Sequence, residues 1–432
     1  MSDTASLPDE RICGTAVTIS DVISELSAHF GRSDLPRLTE WSAKRMGEGD
    51  GFLSVMARVS LSWVENPTKD GLNLPSQLIV KVPTSTFNPS DEMKDMMEPM
   101  FKKLHTVHNL EINVYELFKK TGRPVPVPTV YGAKRLASGE SLAKGEKGYI
   151  VMEDLSPVAG MRHFIKLERL NDKQTRQLTA ALASLHAWSL VTDVSGLHFH
   201  PYDEMLDTML STVAKSKAEL FKSDPAWQKL LDHADLSKHV DKFIFTKEEI
   251  LAEAKKHTHW GYPDVMCHGD LHTNNMLFKY DDDGRPFGDL MAIIDWQLVT
   301  KGNGLVDLVR ALNTPLDPSK RTEAYRNEQL SIYYDTFAQT LARAQPPKAM
   351  PFTKQQLQRA FWRTFVFYQR FWVAAHPLFV KSVNAGQFPG LDPAVHGRAI
   401  MDDAVRMLKE VVDVMEMREI LDNEAVFRPV YT

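Results

Sequence analysis

The chain has 432 residues, 43% hydrophobic and 25% charged, the composition of a soluble globular protein long enough for two or three cores. Lys and Arg number 51 against 56 Asp and Glu, a net charge of -5, so no general attraction to nucleic acid or an anionic membrane is expected. Only Cys13 and Cys267 are present, no stretch reaches the roughly 18 apolar residues of a membrane span, and MSDTASLPDERICG lacks the basic start and apolar run of a signal peptide, so a cytoplasmic protein without a disulfide framework is expected.

Residues 18–30 (TISDVISELSAHF) predict a helix with Ser20 or Thr18 as N-cap. A glycine-rich turn, 46–51 (MGEGDG), precedes a partly alternating strand over 52–64, and 77–82 (QLIVKV) forms a second strand ended by Pro83. Residues 91–120 read as largely helical with a break near Pro99, stopping at Thr121-Gly122 before the link RPVPVPTVYG; 148–152 (GYIVM) is another strand. Helical character then dominates at 172–190, 203–222, 246–256, 318–345, 353–375 and 397–421, around a strand-and-loop block at 264–299. Strands first and helices later predict an α+β chain of two lobes, 1–154 and 155–432, changing over near Glu153–Pro157.

The block 264–299 carries the strongest chemical signal. Phosphoryl transfer needs a carboxylate to orient the attacking hydroxyl, oxygen ligands for magnesium and positive charge on the phosphates. His268-Gly269-Asp270 is followed by Asn275, and Asp295 emerges after the apolar strand MAII. A loop between short strands can point such side chains into one cleft, and Mg²⁺ prefers hard oxygen ligands such as Asn275 and Asp295. Upstream, Lys81 lies inside the apolar strand LIVKV, where a charge needs a reason. Leu104, Val107, Val114 and Phe118 form one helical stripe with Glu111 on it, and an inward carboxylate is costly unless paired. Lys81 is its natural partner; Glu116 is off the stripe. Gly47, Gly49 and Gly51, followed by Ser54, are suited to close approach of backbone N–H groups to phosphate, although GEGDG is also an ordinary hairpin turn.

The motif H-G-D-x-x-x-x-N with the later IIDW resembles the Brenner-type motif of aminoglycoside phosphotransferases and choline kinases. That resemblance implies Asp270 as catalytic base and Asn275 and Asp295 as magnesium ligands, with ATP as phosphate donor. Asp295 follows Asp270 by 25 residues, a spacing stretched by a DDDG turn. YIVMEDLS resembles the kinase hinge, with Met152 as gatekeeper and the Glu153 carbonyl and Leu155 N–H as adenine contacts; Asp154 or Ser156 can equally cap a helix there. The segments GDGFLSVMARVSLSW, LPSQLIVKVPT, HNLEINVYELFKK, YIVMEDLS and CHGDLHTNNMLF are together similar to the CHK-kinase-like (ecdysteroid-kinase-like) proteins, nematode branch, over about residues 15–420. The resemblance implies a bilobal protein-kinase-like fold, a small β-rich N-lobe binding nucleotide and a large mostly helical C-lobe with catalytic loop, metal site and acceptor pocket. It further implies an ATP- and Mg²⁺-dependent transfer of the γ-phosphate to a hydroxyl of a small molecule, with choline or ethanolamine kinase, or a ligand-binding pseudokinase, as alternatives. Many members carry Trp after GDL; this chain has His272.

Other residues read more plainly. Asp307 in GNGLVDLVRAL matches a structural Asp of that family and is expected to support the catalytic loop. His186 and Trp188 on ALASLHAW, and Cys267, read as core. Phe361, Phe365, Tyr368 and Trp372 recur at helical spacing, as core or as a wall of the acceptor pocket, on a segment (355–375) without an acidic residue. Asp203, Glu204 and Asp207 could add an acidic edge. HRD, DFG and APE are absent, which argues against a protein kinase.

Overall fold

A computed structural model describes residues 11–46, 53–64, 72–84, 103–142, 144–199, 252, 256–386 and 390–423. They fall into two compact units, Met1–Gly160 with Met291–Leu298, and Met161–Leu290 with Val299–Thr432. The first is built on a sheet and the second is mostly helical, the α+β organisation expected from the sequence.

In the first unit, α1 (Ile19–Phe30) starts at Thr18, not Ser20. Thr18 and Asp21 form a capping box: the Thr18 hydroxyl accepts the Asp21 N–H, and the Asp21 carboxylate accepts the Thr18 N–H at 2.8 Å. Five antiparallel strands follow in the spatial order β1-β2-β3-β5-β4: β1 (Leu38–Met46), β2 (Ser54–Trp63), β3 (Gln77–Pro83), β4 (Val130–Lys134) and β5 (Tyr149–Glu153). Side chains alternate across the sheet. Val55, Ala57, Val59, Leu78, Val80, Val82, Tyr149 and Val151 pack with Ile19, Val22 and Leu26 of α1 in one buried core. The opposite parity puts Met56, Lys81 and Ile150 in register on the other face. Helix α2 (Leu104–Thr121) buries Leu104, Val107, Leu110, Glu111, Val114 and Phe118 and ends where predicted, at Gly122 with φ 86°. The sequence reading missed β1, whose LTEWSAKRM has one buried position and hence little alternation to read, and also the short β4.

In the second unit, α3 (Asp172–Ser189) begins with the Asn171/Gln174 capping box. Strand β6 (Val265–Cys267) leads into the His268-Gly269-Asp270 loop, and β7 (Met276–Lys279) leads out of it. The DDDG segment is the predicted turn: the Asp281 carboxylate accepts the N–H groups of Asp283 and Arg285 at 3.1 and 2.8 Å. Strand β8 (Leu290–Ile293), which belongs to the first unit from Met291 onward, precedes Asp295 of that unit; in the second unit β9 (Thr300–Gly302) pairs antiparallel with β6. The remaining helices are α4 (Leu305–Ala311), α5 (Glu323–Ala342), α6 (Lys354–Asn384) and α7 (Pro393–Asn423). The helix expected at 318–345 is divided, because Asp317 and Thr322 each cap a separate start. No helix among the described residues is long and apolar enough to cross a membrane.

Candidate active site

Lys81 is 5% exposed and its Nζ lies 2.6 Å from Glu111 Oε2, so the charge on the apolar strand and the charge on the helical stripe meet as expected. Glu116 instead pairs with Arg135 at the surface. A third partner was not legible in the sequence: Asp295 Oδ1, also 2.6 Å from Lys81 Nζ. Burial alone would lower the Lys81 ammonium, but the Asp295 and Glu111 carboxylates outweigh it and hold it above its usual value. Burial pushes Glu111 up, and sharing one lysine with Asp295 leaves its charge only partly offset. The triad thus sets two carboxyl groups against one ammonium, with Lys81 and Glu111 buried and Asp295 a quarter exposed. Its remaining oxygen donors suit a hard divalent cation.

The backbone at Asp295 is built for this contact. Asp295 has φ 68°, a left-handed conformation that costs a non-glycine residue roughly 1–3 kcal/mol. The next residue anchors the strained turn: Trp296 is fully buried, donates its indole N–H to the Ile293 carbonyl at 3.0 Å and meets Phe118 of α2 edge to face at 5.0 Å. The helix that carries Glu111 therefore also holds the turn that aims Asp295. Gln297 Nε2 donates to Asp295 Oδ2 at 3.3 Å.

At the hinge-like segment, Met152 is 5% exposed and pairs in register with Ile79, two residues before Lys81. Glu153 is fastened to the edge strand, its N–H donating to the Thr129 carbonyl at 2.8 Å and its Oε2 accepting the Thr129 N–H at 3.0 Å. The carbonyl of buried Leu155 accepts the N–H groups of Val158 and Ala159. Arg58 clamps the segment, donating to Asp154 Oδ2 at 2.7 Å and to Ser156 Oγ at 2.6 Å. Asp154 and Ser156 therefore hold this turn rather than cap a helix. Ser54 opens β2 opposite Pro83. Gly47, Gly49 and Gly51 lie outside the described residues, as do Asp203, Glu204 and Asp207.

In the second unit the Asp270 loop hangs on Asp307. The buried Asp307 carboxylate accepts the His268 N–H at 2.6 Å and the Gly269 N–H at 3.1 Å, with Gly269 at φ 83°. That is the supporting role expected of it. The loop then closes on itself: Asn275 Nδ2 donates to the Asp270 carbonyl at 2.9 Å, so the Asn275 side-chain oxygen is the atom left for a cation. Asp270, with 27% of its side chain exposed, receives Arg310 Nη1 on Oδ1 at 2.8 Å. Its other oxygen, Oδ2, faces His272 Nε2 at 3.6 Å. Burial would raise the Asp270 carboxyl; His272, Arg310 and His268 more than reverse that and hold it below its ordinary range. Sequence reasoning missed Arg310. Its signal was an arginine within the otherwise apolar run LVDLVRAL, one turn after Asp307.

The discounted residues are core. His186 is fully buried, with Nδ1 2.6 Å from the Tyr333 hydroxyl, and Cys267 is a buried thiol pushed up by burial. Phe361 and Phe365 are fully buried, and Arg326 lies over the Phe365 ring at 4.6 Å. A cation already occupies that ring face, and the stripe reads as packing. The side chain of Trp372 lies outside the described residues.

Two curated relatives come from Caenorhabditis elegans. One is "Uncharacterized oxidoreductase dhs-27", 26% identical over 350 residues, 80% of this chain and 40% of that protein. The chain thus spans about two fifths of that relative's length. The other is "Uncharacterized kinase-like protein D1044.1", 26% identical over 298 residues, 68% of this chain and 71% of that protein. Among solved structures, a choline kinase from Cryptosporidium parvum Iowa II has a TM-score of 0.47 at 13% identity, covering 89% of this chain and 94% of that one, too distant to assign an activity. The nematode affinity read in the sequence agrees with both relatives. Over residues 8–418 the chain matches, and therefore belongs to, the family DUF1679, described as "Uncharacterized oxidoreductase dhs-27".

Proposed function

We propose that this chain is a small-molecule kinase that transfers the γ-phosphate of ATP, with magnesium, to a hydroxyl of a metabolite, hormone or xenobiotic. The observation that carries the reading is the buried Lys81–Glu111–Asp295 triad, with both carboxylates 2.6 Å from one ammonium. A purely structural buried ion pair needs one partner for its lysine; a second carboxylate, on a strained turn, is a hard oxygen donor that suits the divalent cation accompanying a nucleotide. In this reading Lys81, held by Glu111, binds the α/β-phosphates. Met152, Glu153 and Leu155 receive adenine, and Gly49, Gly51 and Ser54 cover the phosphates.

Asp270 is the base. Its carboxylate stays ionised through Arg310 and accepts the proton of the attacking hydroxyl, which then attacks in line without a phospho-enzyme. Asn275 and Asp295, both hard oxygen donors, would hold magnesium, which when bound neutralises charge on the phosphates. The word oxidoreductase belongs to a relative most of whose length lies outside the match. A kinase-like name belongs to the relative matched over more than two thirds of its length.

The test is ADP release from Mg·ATP across a panel of choline, ethanolamine, an aminoglycoside, a hydroxysteroid and a sugar conjugate. Acceptor-dependent ADP release, abolished in Asp270→Asn with Mg·ATP affinity retained, is the expected result. Near-normal turnover in Asp270→Asn would overturn the assignment. ATP binding without turnover would favour the pseudokinase.

A further inference from the structure

A connected set of buried guanidiniums runs through the second unit. Arg321 is 4% exposed; its Nη2 donates to Asp403 Oδ1 of α7 at 2.5 Å, and its Nε lies 3.1 Å from Glu410 Oε1. Arg326 donates Nη2 to Glu410 Oε2 at 2.6 Å, Nη1 to the Arg321 carbonyl at 3.1 Å and Nε to the Leu312 carbonyl at 3.3 Å. Arg169 reaches Asp403 Oδ2 at 3.4 Å, and buried Arg162 donates to the Arg169 carbonyl. Glu168 borders Arg162, and Asp317 and Arg406 border Arg169. Among the described residues the set therefore holds five guanidiniums against four carboxylates. A guanidinium keeps its proton inside a protein, so titration cannot remove the surplus. A buried charge left over is costly unless something pairs with it.

The donors without partners mark where the surplus falls. Arg321 Nη1 is buried with no hydrogen-bond partner, and so are both side-chain amide atoms of Asn313, a fully buried residue just beyond α4. Arg326 ties the two together, since it holds the Leu312 carbonyl with one nitrogen and the Arg321 carbonyl with another. Arg162 Nε is unpartnered as well, but that guanidinium lies over the Phe287 ring at 4.2 Å, whose face offsets part of its charge. We infer that Arg321 Nη1 and the Asn313 amide N–H bind a small monovalent anion of the halide class, which fastens α7 to the segment 312–326. Water would satisfy the donors but not the charge. One surplus charge in a buried place suits a compact monovalent ion, whereas the second charge of phosphate would go unmet. The inference is independent of the kinase reading.

The experiment is thermal denaturation of the full chain, without nucleotide, in sodium gluconate, sodium chloride or sodium phosphate at one ionic strength. Wild type is compared with Asn313→Asp, which supplies a carboxylate beside Arg321, and with Arg321→Gln. Chloride should raise the wild-type melting temperature saturably, by about 2–4 °C. Asn313→Asp should melt in gluconate as high as wild type does in chloride, and neither variant should respond to chloride. Equal melting of wild type in all three salts would overturn the site. So would a rise that never saturates and is the same in the variants, which is a bulk salt effect only. A larger shift with phosphate than with chloride would overturn the halide class. Should Arg321→Gln fail to fold, Asn313→Asp decides: a retained chloride response, or melting below wild type in gluconate, would overturn the assignment.

Discussion

Arg310 Nη1 donates to Asp270 Oδ1 at 2.8 Å, from the same seven-residue helix whose Asp307 accepts the backbone N–H groups of His268 and Gly269. One short helix thus fixes both the path of the loop and one oxygen of its carboxylate. Asp270 is held below its ordinary range against the pull of burial, by His272, Arg310 and His268. A carboxylate depressed in this way remains ionised to lower pH, and activity that requires it is present above its pKa and lost as pH falls through it. Arg310→Gln should move the acid limb of the kcat/KM profile to higher pH. An acid limb that stays in place would show that Arg310 does not set the charge of the base.

Lys81 and Glu111 should behave as one unit. Removing Lys81 strands the buried Glu111 carboxylate, at a cost of about 3–5 kcal/mol, whereas removing Glu111 leaves Lys81 paired with Asp295. Lys81→Met with Glu111→Leu should therefore lose much less stability than the sum of the single changes, with a coupling of about 1–3 kcal/mol in chemical denaturation. Additive losses would mean the two charges do not depend on each other. Asp295→Ala should leave the Lys81–Glu111 pair in place and lower Mg²⁺-dependent nucleotide affinity; undiminished affinity would remove Asp295 from the metal site.

The Lys81–Glu111 contact could be read in the sequence because each charge interrupts a regular apolar pattern, one with the period of a strand and one with that of a helix. Asp307 was legible through its motif. Arg310 was not, since a single arginine on a short apolar helix does not say which acid it meets. Nor was the contact between Lys81 and Asp295, 214 residues apart, because it depends on a left-handed backbone at Asp295 that no local residue preference demands. The aromatic spacing at 361–372 was visible, but not that Arg326 stacks on Phe365 and makes it packing.

Asp307 offers a separate test of the loop. Its two oxygens accept two buried N–H groups at 2.6 and 3.1 Å. Asp307→Asn replaces one acceptor with a donor that faces a donor, leaving a buried N–H unpaired at a cost of about 1–3 kcal/mol. Because the same loop aims Asp270, kcat should fall by about 100-fold while Mg·ATP affinity holds. Loss of stability with full kcat would make Asp307 a fold residue only.

His108 supplies a prediction about stability and pH that is independent of the chemistry. It is 3% exposed on α2, and its Nε2 lies 2.9 Å from the Lys134 carbonyl, to which the ring donates. Burial, with smaller contributions from Lys81 and Arg135, outweighs the help of that carbonyl and lowers it from 6.5 to about 4. The unfolded chain therefore binds a proton at this site before the folded one does. The site's contribution is whole above the unfolded value of 6.5, falls away with decreasing pH, and is gone below about 4. The full difference corresponds to about 3 kcal/mol. His108→Gln keeps a donor for the carbonyl but cannot titrate. Wild type should lose stability between pH 6.5 and 4 more steeply than His108→Gln in urea denaturation, and the two curves should run parallel above pH 7. Equal slopes through the acid range would show that His108 is not held neutral in the folded chain.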